Sequence, residues 1–212
     1  MWRASRPIVM TGVLWGLLLA GAASGDEQPG LQVGDMPPDF VGLDDRGQLW
    51  NSRNHIGQKL LVVYFYPSDF SFCCTRQAVR YRDQMKGFRD LGAEVVGISG
   101  DAVEAHRQFS NTHRLSFPLL SDKDGEVARH FGVPLRVGGK AVIADEAGHE
   151  IVDARGRSLK VPRNVTTGRW TFVIDQKGQV IHRATDVNPI KDAQEVLDFV
   201  REYQRKNRPA AP

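Results

Sequence analysis

From Leu60 to Tyr66 the chain reads Leu-Leu-Val-Val-Tyr-Phe-Tyr without a polar interruption, and Pro67 closes the run. Nothing alternates, and the run is too short for a buried helix. It is therefore expected to be a central strand covered on both faces. Such a strand needs a sheet with a layer on either side, so the flanking sequence should supply helices.

It does so on both sides of a series of further strands. Residues 40–43 and 48–50 flank an Asp44-Asp45-Arg46-Gly47 turn and read as a hairpin. After Pro67, the spacing of Cys74, Ala78, Tyr81, Met85 and Phe88 predicts an amphipathic helix that stops at Gly92. Residues 93–99 form a second buried strand. Asp101-x-x-Glu104 resembles a capping box for a helix over 102–114. A strand at 117–120 and a short helix at 125–131 follow. Strands at 170–175 and 179–183 enclose a Gln176-Lys177-Gly178 turn. Asn188 and Pro189 then open a closing helix with Ile190, Ala193, Leu197 and Val200 on one face. This order predicts a three-layer α/β/α sandwich with a mixed central sheet. One domain over residues 31–206 accounts for it, with a flexible tail at 207–212. Residues 136–168 fit less regularly. Stretches at 141–144 and 150–153 around Ala147-Gly148-His149 suggest an inserted surface hairpin.

The 212 residues are 41% hydrophobic and 25% charged, which excludes a disordered, collagen-like or multi-pass membrane chain. Residues 1–25 carry Arg3 and Arg6, an apolar core from Ile8 to Leu19, and small residues from Ala20 to Gly25. This is the pattern of a secretory signal peptide, whose core is shorter than the roughly 20 residues that span a bilayer. Export to the periplasm or beyond is the expectation, with an uncleaved anchor as the alternative. The net charge is +3, and losing both leader arginines would bring it close to neutral. A nucleic-acid partner is not expected.

The only cysteines, Cys73 and Cys74, are neighbours. Adjacent Cα atoms lie about 3.8 Å apart, whereas a relaxed disulfide needs roughly 4.4–6.8 Å. A bridge between them would be strained and is not expected as a structural staple, which points instead to reactivity, metal binding or inert packing. Cys74 extends the apolar stripe of its helix backward by one turn, so it belongs in the first turn, partly facing the core. Backbone N–H groups and the positive end of the helix dipole favour a thiolate there. Arg169, entering the strand at 170–174, is a candidate cation for the same loop.

The run Tyr64-Phe65-Tyr66-Pro67-Ser68-Asp69-Phe70-Ser71-Phe72-Cys73-Cys74-Thr75-Arg76-Gln77-Ala78 resembles the active-site loop of peroxiredoxins, Pro-x-x-x-Thr/Ser-x-x-Cys. The nearest subgroup is the bacterioferritin comigratory protein, or PrxQ, type. The similarity extends over residues 33–203 and includes Gly97-Ile98-Ser99, residues 117–122, and Arg169-x-Thr171-Phe172-Val173-Ile174-Asp175. It implies a thioredoxin-like fold and thiol-dependent reduction of hydrogen peroxide and organic hydroperoxides, with no cofactor and no metal. Matched by position, Cys74 is the peroxidatic cysteine, Pro67 the loop proline, Ser71 the hydroxyl and Arg169 the arginine. Arg169, Ser71 and the N–H groups of Cys73 and Cys74 would hold the charge on the departing oxygen. The resemblance implies a hydroperoxide substrate and an external thiol reductant, for a monomer or weak homodimer.

Two departures matter. Many PrxQ-type chains carry a second cysteine five residues after the first, where this chain has Val79. The reading therefore favours a single-cysteine cycle over a role for Cys73. The insertion at 136–168 is also longer than in that subgroup. Taken singly, these residues have plainer readings: Cys74 as core, Ser71 as a turn hydroxyl, Pro67 as a strand end and Arg169 as a surface ion pair. Thr75 and Gln77 read as helix-start residues first and as partners supporting the reactive residues second, and His106 and His113 as an exposed polar face. A thioredoxin-type reductase would need Cys-x-x-Cys. An exported soft-metal carrier, such as a copper protein using Cys73 and Cys74, would need a third ligand brought in by folding.

Overall fold

The computed structural model describes residues 30–145 and 147–207. The expected leader and the tail beyond Asn207 lie outside the described residues. The elements run β1 (Val41–Asp44), β2 (Leu49–Asn51), β3 (Leu60–Phe65), α1 (Phe72–Asp90), β4 (Ala93–Ser99), α2 (Val103–His113), β5 (Leu119–Ser121) and α3 (Glu126–Phe131). They continue with β6 (Leu135–Val137), β7 (Lys140–Val142), β8 (Lys160–Pro162), β9 (Val165–Thr167), β10 (Thr171–Ile174), β11 (Val180–Ala184) and α4 (Asp192–Asn207).

The apolar run lies in the middle of a seven-stranded sheet of order β11-β10-β3-β4-β5-β1-β2. Strands β3, β4 and β5 are parallel, and β10 runs antiparallel to β3. Every residue of β3 is buried. Leu60, Val62, Tyr64 and Tyr66 point into a core built with α1 and α4, while Leu61, Val63 and Phe65 point into a second core with α3. Each such side chain contributes roughly 1.5–3 kcal/mol on burial. The two-sided run therefore dictates the three-layer sandwich with a mixed sheet expected from the sequence. Among the described residues, no helix is long and apolar enough to cross a membrane.

Three local readings are corrected. Asp101 does not cap α2. The cap is Ala102, and no side chain bonds the helix start, because the Asp101 carboxylate turns inward to accept from Ser99 Oγ and Asp69 N. Asn188 does bond Ile190 N, but regular helix begins only at Asp192, and Ile190 is exposed. The insertion is more than a surface hairpin. Ala144 bridges Glu150 as expected, yet this is only the tip of a longer arm in which β7 pairs with β8 and β6 with β9. The arm passes close to Gly100, just beyond the C-terminal end of β4. At Gly100 a Cβ atom would come within 2.2 Å of the Val165 carbonyl, so the close crossing requires glycine there.

Candidate active site

The topology explains why distant residues meet. Because β10 is antiparallel to β3, with Thr171 opposite Tyr64, the residues just before β10 lie beside the C-terminal end of β3. Phe65 N donates to the Trp170 carbonyl at 2.8 Å. The loop from Pro67 to Ser71 leaves β3 at that point, and α1 starts immediately after it.

Ser71 is the N-cap of α1 through its backbone. Its carbonyl accepts from Thr75 N at 2.9 Å, while its hydroxyl donates to the Ser68 carbonyl at 3.2 Å. No side chain caps the helix, so the N–H groups of Phe72, Cys73 and Cys74 stand in the first turn, where no intrahelical acceptor exists. Phe70 adopts a positive φ of 57°, a conformation an aromatic residue rarely takes. It is held by burial of its ring against Phe109, centroids 5.1 Å apart, and by Ala144 N, which donates to its carbonyl.

Cys74 is buried and Cys73 is exposed. Arg169 Nη2 donates to Cys74 Sγ at 3.2 Å, and Nη1 donates to Gln77 Oε1. Arg169 is thus not a surface ion pair. Gln77 is no mere helix-start residue either: it lies on the same face as Cys74, three residues on, and is fully buried. Its Nε2 donates to Asp192 Oδ2 at 2.7 Å. The two sulfurs, one exposed and one buried, do not make the chelate that the soft-metal alternative needs. Among the described residues no cluster of three or more His, Cys, Asp or Glu could hold a metal ion.

Beneath the loop lies a charged network that the sequence reading missed. Asp69 and His106 are fully buried, with Nδ1 2.8 Å from Asp69 Oδ2 and Nε2 3.2 Å from the Leu120 carbonyl. Both ring nitrogens face acceptors, an arrangement that the protonated imidazole satisfies with a donor at each nitrogen. Burial alone would lower the His106 pKa, but the Asp69 charge and hydrogen bond, aided by Asp101, hold it above its ordinary value. Tyr66 OH donates to Asp69 Oδ1 at 2.8 Å. Burial, followed by the charge of Asp69, pushes Asp101 up to about 6. Arg163, from the inserted arm, reaches Asp101 Oδ1 at 3.7 Å and donates to the Pro67 carbonyl at 3.4 Å. Thr167 Oγ1 donates to the Tyr66 carbonyl at 2.8 Å. The insertion thus grips the loop at Tyr66, Pro67 and Phe70. His106 and His113 are buried, not exposed. The signal was present in their spacing around Phe109, which marks the inner face of α2.

The network sets a pH dependence. Asp101 and His106 bind protons more tightly folded than unfolded, so their stabilisation is full at low pH and lost as pH rises through their folded pKa values. Burial raises Asp122 and Asp192 with the same sign. His182, depressed by burial, acts oppositely below about 6.5. Thermal unfolding should show higher stability at pH 5 than at pH 8, with about 1 kcal/mol from Asp101 alone. Asp101→Asn should flatten the profile, and an unchanged profile would refute the assignment.

The family model described as the AhpC/TSA family matches residues 33–183. The chloroplastic peroxiredoxin Q of Populus jackii is 35% identical over 170 residues, covering 79% of this chain and 67% of that protein. The corresponding protein of Gentiana triflora is equally similar, with 79% and 66% covered, so the chain spans about two thirds of the length of these plant relatives. Among solved structures, peroxidoxin BcpB of Mycobacterium tuberculosis aligns with a TM-score of 0.64 and 29% identity over 81% of this chain and 97% of that one. The bacterioferritin comigratory protein of Xanthomonas campestris aligns with 0.60 and 26%, over 77% and 91%. A buried thiol against an arginine, on a sheet of this order, is thus met in a chain similar to peroxiredoxin Q proteins: the protein belongs to the AhpC/TSA peroxiredoxins, of the PrxQ type, and is a thiol peroxidase.

Proposed function

We propose that Cys74 is the sulfur that reacts and that it works in a single-cysteine cycle. The thiolate attacks one oxygen of hydrogen peroxide or an organic hydroperoxide. The O–O bond breaks, and its electron pair leaves on the distal oxygen, which takes a proton and departs as water or alcohol. Cys74 becomes a sulfenic acid. An external thiol attacks that sulfur, releasing water and forming a mixed disulfide, and a second thiol frees Cys74. The observation that carries the reading is the 3.2 Å contact between Arg169 Nη2 and Cys74 Sγ at the uncapped start of α1.

The roles of the other residues follow from charge. Arg169 and the N–H groups of Cys73 and Cys74 hold the negative charge where it develops. Ser71 joins them when its hydroxyl exchanges the Ser68 carbonyl for a peroxide oxygen. Pro67 closes the loop without adding an N–H that would compete for the thiolate. Cys73 faces solvent, and Val79 stands where a helix-internal partner would be, so resolution falls to a thiol from outside. The apolar leader supports export to the periplasm or beyond.

One equivalent of peroxide followed by a sulfenic-acid trap should place the adduct on Cys74 by mass spectrometry. An adduct on Cys73 alone would refute the cycle. Arg169→Met should slow oxidation of the thiol by roughly 100-fold in stopped-flow, the cost of removing one preorganised donor. A variant within a few-fold of the parent would remove Arg169 from the mechanism.

A further inference from the structure

We propose that Asp192 is a positioning residue for Arg169: its carboxylate dictates which end of the Gln77 amide faces the guanidinium, and so holds the guanidinium on Cys74 Sγ. The proposal rests on the reading of Cys74 and Arg169 given above.

A glutamine amide has two ends of nearly equal shape, an oxygen that accepts and a nitrogen that donates. Arg169 has donors only, so Gln77 can hold it only by presenting Oε1. Nothing within the amide enforces that choice. Asp192 Oδ2 does, because it acts as an acceptor for three side chains: Gln77 Nε2 and Tyr81 OH, each at 2.7 Å, and Thr171 Oγ1 at 3.0 Å. With Nε2 committed to the carboxylate, Oε1 must face Arg169, which is the contact observed. The relay draws on three elements, α1, β10 and α4, and Asp192 is only 2% exposed. Burial opposes its ionisation, and the hydrogen bonds from Tyr81, Gln77 and Thr171 favour it. Glu195 on α4, His182 on β11 and Tyr64 on β3 are the other titratable groups that sense it.

An acidic residue at the start of a helix also offsets the helix dipole. That role alone would affect stability and leave the thiol chemistry of the folded protein unchanged. The two roles separate in a mutant cycle. Asp192→Leu should slow peroxide oxidation of Cys74 roughly tenfold or more, as expected when a charged group is misplaced. Asp192→Asn, whose Oδ1 still accepts from Gln77, should stay within about threefold of the parent. Adding Asp192→Leu to Gln77→Leu should cost nothing further in rate, because the carboxylate acts through the amide.

A second readout needs no peroxide. In ¹⁵N NMR of the reduced protein, the Arg169 guanidinium should show separate Nη resonances from hindered rotation. These should merge in Asp192→Leu and in Gln77→Leu and persist in Asp192→Asn. An Asp192→Leu protein that oxidises within twofold of the parent, or that slows Gln77→Leu by the same factor as the parent, overturns the proposal. So do Arg169 resonances that stay separate in Asp192→Leu. A parent protein without peroxide turnover would instead refute the role of Cys74, and the NMR readout would still decide the role of Asp192.

Discussion

Cys74→Ser should abolish peroxide consumption, to below about a hundredth of the parent rate, because a serine oxygen can neither accept the electrophilic peroxide oxygen nor be oxidised and restored. Cys73→Ser should keep most of the activity. The two positions differ by one residue, yet the helix turns one thiol into the core beside Arg169 and the other into solvent. The measurement is peroxide consumption with a saturating external thiol, backed by trapping of the sulfenic acid. Comparable losses in both variants would mean that Cys73 resolves the oxidised sulfur and that the single-cysteine cycle is wrong. Full activity in Cys74→Ser would remove the peroxidatic assignment altogether.

The second large effect is on stability. His106→Leu should cost roughly 3–5 kcal/mol, the penalty for breaking a buried ion pair by deleting one partner. Asp69 and His106 are both 0% exposed, so water cannot replace the lost imidazolium. The remaining carboxylate would keep only Tyr66 OH on Oδ1 and would sit close to Asp101, whose Oδ2 accepts from Asp69 N. A domain of this size has about 5–15 kcal/mol in total, and the thermal midpoint should fall by roughly 6–20 °C. Asp69→Asn combined with His106→Leu should be more stable than His106→Leu alone, since the double change removes the uncompensated charge. A single variant within about 1 kcal/mol of the parent would show that the pair is not a buried ion pair.

The network also accounts for the unusual backbone of the loop. Phe70 keeps its positive φ between Asp69, fixed by Tyr66, Ser68, Asp101 and His106, and the α1 start, with the inserted arm bonded to its carbonyl. The network thereby braces the loop that leads into Cys74. Arg163 ties that region to the arm at residues 136–168, which gives the arm a physical task in fixing the loop's shape.

Much of this was written in local pattern. The apolar run at 60–66 could only be a two-sided strand, and the spacing from Cys74 to Phe88 could only be a helix packed on it. Together they placed a thiol at a helix start on the edge of a core. The loop motif from Pro67 to Gln77 then narrowed the chemistry. Local pattern failed where a polar side chain had its partner far away in sequence. Asp101 looked like a cap and turned inward, and His106 looked solvated and was buried. Gln77 and Asp192 gave no sign of each other across the chain.

Sequence alone therefore determined the strand and helix pattern, the layer architecture and the place of Cys74 in the first turn of a helix, because hydrophobic periodicity and helix termini act over a few residues. Only the tertiary structure decided that Arg169, Gln77 and Asp192 form one line ending on the sulfur, and that the insertion clamps the loop. Those contacts depend on the antiparallel register of β10 on β3 and on the docking of α4. Pairing between buried charges across such distances leaves no period in the sequence to be read.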